Sequence, residues 1–152
     1  MSHKFTIQQV ASDNYHLFRD LVHWRVTGER KPAAGEPTGP ELEFLKYEDF
    51  WVYAAQIGNA FVGWINAVLI PKPDRRRGLL YVDELWLAPE YRGKGIADAL
   101  MEKVFCLARE RELWKVRLYV GADNPSARSF YRRMGFVEDD ELAVFCEWEV
   151  VK

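Results

Sequence analysis

The sequence predicts an α/β fold, a central mixed sheet with helices packed on it. Three observations lead there. An alternating apolar run, Leu80, Val82, Leu85 and Leu87, reads as a buried strand that Ala88-Pro89-Glu90 stops. Beyond the next turn, Ile96, Ala99, Leu100, Val104, Leu107 and Ala108 recur at spacings of three and four, as on a helix with one buried face. Strand-like and helix-like runs then mix along the chain in the order β, α, α, β, β, β, α, β, α, β.

Phe5 to Val10 alternates enough for a first strand. Ser12 or Asp13 caps the next helix, which Leu17, Leu21, Val22 and Trp24 line on one side and which ends near Gly28. Residues 31–40, KPAAGEPTGP, form a loop, and a short helix runs from Pro40 or Glu41 to about Tyr47. Phe50 to Ile57 and Phe61 to Ile70 make a hairpin joined at Gly58-Asn59. A loop from Pro71 to Gly78 leads to the central strand and helix, and Lys115 to Val120 is a further strand. Asn124 caps a short helix with Pro125 at its first position, and Gly135 ends it where a left-handed residue is wanted. Leu142 to Val150 closes the chain as a last strand.

A chain of 152 residues, 49% hydrophobic, suits one domain over 1–152 with a real core and leaves no room for a disordered reading. A net charge of -2 argues against a nucleic-acid partner, which needs a basic face. Arg75, Arg76 and Arg77 form the one basic run, read as a solvated turn. Cys106 and Cys146 have no metal spacing and read as buried thiols, and His3, His16 and His23 form no ligand set, so no metal is expected. No apolar stretch approaches a membrane span and the N-terminus lacks a signal-peptide core, which predicts a cytoplasmic protein.

The turn Arg92-Gly93-Lys94-Gly95-Ile96-Ala97 stands between a strand and a helix start. Unpaired N–H groups converge at such a point and the helix dipole favours negative charge, so it suits an anionic, phosphate-bearing ligand. Glycines at 93 and 95 remove side chains that would hold that ligand off the backbone. The dinucleotide fingerprint fails, because Asp98 stands where its third glycine belongs.

Arg92-x-x-Gly95-x-Ala97 resembles the first signature of the GNAT superfamily of acyl-CoA-dependent N-acetyltransferases. Asn124-Pro125-x-Ala127-x-x-Phe130-Tyr131-x-x-Met134-Gly135-Phe136 resembles the second. The resemblance runs over nearly the whole chain, weakest in residues 11–48. It implies the GNAT fold, a central mixed, mostly antiparallel twisted sheet flanked by helices, with acetyl-CoA as cosubstrate. Moving an acetyl group from a thioester to an amine needs a pyrophosphate cradle, a donor on the thioester carbonyl, a route for the amine proton and an acid for the thiolate.

The resemblance gives the cradle to Arg92, Gly93, Lys94, Gly95, Ile96 and Ala97. It lays the pantetheine arm along Leu85, Trp86 and Leu87, through main-chain groups, while their side chains also read as core. It makes Tyr131 the general acid. On a helix Ala127, Phe130, Tyr131 and Met134 share one face, which points the Tyr131 ring inward, so a core tyrosine with a satisfied hydroxyl is the plain alternative. Asn124 is placed to touch the cofactor, though capping its own helix accounts for it. Asp83 and Glu84, adjacent on the strand, point to opposite faces unless a bulge intervenes, and the resemblance implies that one of the pair is the carboxylate that acts on the amine. A salt bridge to a basic neighbour explains the same residues.

The expected activity is direct acetyl transfer from acetyl-CoA to a primary amine in a ternary complex, the acceptor a small cationic molecule. Glu36, Glu41, Glu43, Glu48 and Asp49 gather where the resemblance puts the acceptor, and negative potential there recruits amines. The alternatives are a non-catalytic acyl-CoA-binding sensor, or an acetyltransferase acting on a protein N-terminus or lysine. Phe145, Trp148 and Val150 on the last strand offer either a homodimer contact or the end of the core.

Overall fold

The computed structural model describes residues 4–150, which divide into two compact units, the first ending at Tyr119 and the second beginning at Val120. The first unit is built on one five-stranded sheet whose spatial order is its chain order. Its strands are β1 (Thr6–Gln9), β2 (Phe50–Ile57), β3 (Ala60–Ile70), β4 (Leu79–Leu87) and β5 (Val116–Arg117). The first three pairings are antiparallel and β4–β5 is parallel, so the sheet is mixed and mostly antiparallel.

Strand alternation sends even and odd residues of β2 to opposite faces, and each face takes one helix. Helix α1 (Tyr15–Thr27) buries Tyr15, Phe18, Leu21 and Trp24, three residues apart, against Val52, Ala54 and Trp64. Gly28 ends it in the left-handed region at φ 78°, its N–H donating to the Trp24 carbonyl at 2.8 Å. Helix α3 (Ile96–Glu110) buries Ile96, Leu100, Met101, Val104 and Leu107. It lies on the odd face, where Lys103 reaches the Tyr53 ring and Arg111 at its end covers Trp51. Between them the expected short helix is split, α2 (Gly39–Leu42) passing into a tighter turn over Glu43–Lys46. Thr38 and Glu41 close a reciprocal cap at its start.

Three expectations are corrected. The Lys115–Val120 strand is reduced to Val116–Arg117, pairing with β4 at Leu80 and Tyr81. Residues 142–150 form no strand, and Leu142, Phe145 and Trp148 are exposed, because alternation makes a strand only where a neighbouring edge completes its hydrogen bonds. Cys106 and Cys146 are exposed: Cys106 lies two positions from Val104, about 200° around the helix and off its buried face. His3 lies outside the described residues.

The second unit contains α4 (Pro125–Arg133), which Asn124 caps by accepting from the Ala127 N–H at 3.1 Å. Gly135 follows with φ 102°.

Candidate active site

Strand β4 positions everything of chemical interest in the first unit. The β3–β4 register steps from Asn66 opposite Glu84 to Ala67 opposite Val82, leaving Asp83 as the extra residue of a β-bulge. Asp83 is exposed, while Glu84 turns to the α1 face and is half-buried. Asn66, 6% exposed in an otherwise apolar strand, holds the bulge in place. Its Oδ1 accepts from the Glu84 N–H at 2.9 Å and its Nδ2 donates to Glu84 Oε1 at 3.0 Å. Arg25 Nη1 donates to the other carboxylate oxygen, Oε2, at 2.7 Å.

An aromatic strip runs beside this carboxylate. Trp64 and Trp86 have ring centroids 5.5 Å apart, Trp24 meets both Trp86 and Tyr91 edge-on, and Phe18 meets Trp64 edge-on at 5.3 Å. Cations lie over these rings: Arg25 over Trp64 and Trp86, Arg30 over Trp24, and Lys94 over Tyr91. Arg30 also donates to the Tyr91 hydroxyl at 3.3 Å.

Beyond Leu87 the chain makes a single tight turn over Pro89–Tyr91 and then the glycine segment. Arg92 Nε donates to the Leu87 carbonyl at 3.1 Å and ties the segment to the strand end. Gly93 and Gly95 have φ of 75° and 81°, a region other residues enter only under strain, and a Cβ at either would meet no atom within 4 Å. Residues 92–95 are exposed, Ile96 is buried and anchors the first turn of α3, and no side chain caps that turn. Its leading N–H groups thus have no side-chain cap and carry the positive end of the helix dipole, which suits an anion.

Over Val82–Leu87 the edge of β4 beyond its pairing with β5 carries no strand among the described residues. Leu85 and Trp86 are half-buried there and Leu87 is buried. An extended ligand arm fits such an edge by adding main-chain hydrogen bonds.

The acidic loop is less free than its composition suggests. Glu41 accepts from the Thr38 N–H and faces Arg19 at 3.5 Å, and Glu43 pairs with Lys46 at 3.1 Å. Arg19 gathers the loop by donating to the carbonyls of Ala34, Gly35 and Glu36. A cleft of about 240 Å³ opens near the start of α1, lined by Gln9, Ser12, Phe44 and Tyr47 among others.

In the second unit, Ala127, Phe130, Tyr131 and Met134 form the half-buried face of α4. The Tyr131 ring packs against Phe130 and Phe136 at 5.3 and 5.7 Å between centroids. Burial pushes its phenol above the ordinary value of 10.0, so it stays protonated at neutral pH.

Sequence reasoning missed Asn66, Arg25 and Trp64, and it named Trp86 only for its main chain and as core. Asn66 had a signal, as the one polar residue between Phe61 and Ile70. Arg25 had none, since its partner lies 59 residues away.

The chain matches the sequence profile of the Acetyltransferase (GNAT) family over residues 18–136. It is 37% identical over 146 residues to an uncharacterized N-acetyltransferase of Methanocaldococcus jannaschii, covering 90% of this chain and 62% of that protein. It spans less than two thirds of the length of the curated relatives that it matches first. Its fold resembles an aminoglycoside acetyltransferase from an uncultured soil metagenomic sample, in complex with trehalose (TM-score 0.79, 18% identity, 97% of each chain). It also resembles AAC(6')-Iy in complex with a bisubstrate analog, CoA-S-monomethyl-acetylneamine (TM-score 0.76, 16% identity, 97% of this chain and 99% of that one). No helix among the described residues is long and apolar enough to cross a membrane.

Proposed function

The chain belongs to the acetyltransferase (GNAT) family, and from that premise we propose that it transfers the acetyl group of acetyl-CoA directly to a primary amine in a ternary complex. The acceptor is a small cationic molecule. One observation carries the reading: Glu84 is held at a bulge on the same strand whose end opens into the uncapped, glycine-bearing helix start. A carboxylate and an anion cradle then stand on one rigid element.

In this proposal the turn from Arg92 to Ala97 holds the pyrophosphate. Main-chain groups of Leu85, Trp86 and Leu87 align the pantetheine arm. Glu84 takes the proton of the attacking amine, directly or through one water, while exposed Asp83 supplies the bulge and no chemistry. The new C–N bond forms as the C–S bond breaks, and Tyr131, held in its acid form, protonates the departing sulfur. A single domain over 1–152 is part of the same proposal, supported by a family match that runs on past Tyr119. A cytoplasmic site of action and a chemistry without metal belong to the same reading.

A second reading draws on Arg25, whose ion pair occupies the Glu84 carboxylate: a module that binds acyl-CoA without turnover. Thiol release from acetyl-CoA, measured against polyamines, aminoglycosides, amino acids and peptides, decides between them. Release stimulated by a polyamine or aminoglycoside supports transfer to a cationic amine. CoA binding by calorimetry with no release favours the module, and absence of CoA binding overturns both.

A further inference from the structure

Arg25 sits in a seat made for a cation. Its guanidinium carbon lies 5.0 Å from the Trp64 ring centroid and 6.0 Å from that of Trp86, two indoles inclined at 47° to one another. Its Nη1 is 2.7 Å from Glu84 Oε2. Two π faces and one carboxylate converging on a positive charge form an aromatic cage closed by an anion. The walls are fixed. Trp64 is 2% exposed, Phe18 and Trp24 brace the two indoles edge-on, and Asn66 holds the other Glu84 oxygen.

The occupant is held far less firmly than the walls. The Arg25 side chain is 39% exposed, as is that of Glu84, and ion pairs with this much solvent contact hold weakly. The arginine stem is long and flexible, so the guanidinium can leave its place in the cage for water.

We propose that the Trp64–Trp86–Glu84 cage is a binding site for an alkylammonium group and that Arg25 is its built-in occupant. An incoming ammonium takes the place between the indoles and the guanidinium moves out to solvent. The cage stands on geometry alone; only its use in turnover rests on the proposed acetyl transfer. There the exchange has a chemical consequence, because the seated ammonium meets the Glu84 oxygen that Arg25 has left. One N–H bond breaks, one O–H bond forms on Glu84, and the neutral amine is the nucleophile. Arg25 thus keeps the carboxylate paired until a cation arrives, and an acceptor lacking a positive charge gains nothing from the cage.

The test uses tetramethylammonium chloride, which has no N–H and accepts no acetyl group, titrated into the full chain at constant ionic strength against sodium chloride. Binding is read from the indole N–H resonances. Arg25→Ala is expected to bind it about five- to tenfold more tightly than wild type, with the shifts concentrated on Trp64 and Trp86. Arg25→Gln, which keeps part of the stem over the indoles, gives the same sign. Adding Glu84→Gln removes the gain. Equal affinity in wild type and both Arg25 variants, or shifts away from Trp64 and Trp86, overturns the cage. The acetyl-transfer reading fails separately, by absence of thiol release, so neither failure is mistaken for the other.

Discussion

Asn66 grips Glu84 at both its main chain and its carboxylate, accepting from the N–H at 2.9 Å and donating to Oε1 at 3.0 Å. A bulge leaves strand groups without their ladder partner, and a buried side-chain amide replaces it here with one acceptor and one donor. The same contact fixes which way the carboxylate faces. Asn66→Ala leaves a half-buried N–H and a carboxylate oxygen without their partner, so a loss of about 1–3 kcal/mol is expected in urea unfolding. Asn66→Asp keeps the shape but sets an oxygen against Glu84 Oε1. Its turnover is expected to fall more than its amine KM rises, read from thiol-release kinetics.

Gly95→Ala separates the fold from the ligand at the helix start. At φ 81° an alanine strains the backbone by about 1–2 kcal/mol, yet its Cβ meets no protein atom within 4 Å. The methyl group instead projects into the space over the turn. Calorimetry is expected to show CoA binding weakened about tenfold or more, against a modest loss of stability. Unchanged CoA affinity would place the pyrophosphate elsewhere.

These two sites mark how far the sequence carries. The strand, glycine turn and helix over residues 79–110 are local, so periodicity and turn chemistry make them legible, and the hairpin at Gly58-Asn59 reads for the same reason. The bulge is different. Asp83 and Glu84 look equivalent in sequence, and only the register with β3, set by Asn66, puts one into solvent and the other beside Arg25. Arg25, Trp64 and Trp86 come together through tertiary packing, which residue spacing does not encode. The 142–150 run shows the converse limit, since alternation there describes a strand's surface without supplying its partner.

In the proposed mechanism Tyr131→Phe removes the proton for the leaving sulfur, and it keeps the ring that packs on Phe130 and Phe136. A fall in kcat of about 10²–10³-fold is expected, with CoA affinity essentially unchanged. The pH dependence has a definite sign. Burial raises the folded-state pKa above the unfolded 10.0, so the folded chain holds this proton more tightly. The resulting stability is fully present below pH 10 and is lost as pH rises through the folded pKa. Tyr15, Tyr53 and Tyr81 are raised by burial as well, so the contribution of Tyr131 is read as the difference between wild type and Tyr131→Phe. That difference is expected to stay flat from pH 7 to about 9 and to narrow above 10. Narrowing that begins below pH 9 would contradict the upward shift.

Gly63→Ala probes how closely β3 and β4 approach under the site. Gly63 lies opposite Leu87, and a Cβ there would stand 2.8 Å from the Trp86 carbonyl oxygen and 2.8 Å from Leu87 Cγ. Leu87 is buried and meets the new methyl at its branch carbon, so it has to shift bodily. The Trp86 carbonyl cannot yield without the strand itself, which is paired with β3 here. The strands must part locally, and such overpacking costs about 1–3 kcal/mol. The displacement falls on Trp86, one wall of the cation cage, and on Leu87, whose carbonyl receives Arg92. Both amine KM and CoA affinity are therefore expected to worsen together in Gly63→Ala, whereas Gly95→Ala affects CoA alone. Chemical unfolding, amine kinetics and CoA calorimetry on the two variants check the contrast. A Gly63→Ala protein that is destabilised but binds both ligands normally would show that the strip from Trp86 to Arg92 does not act as one rigid support.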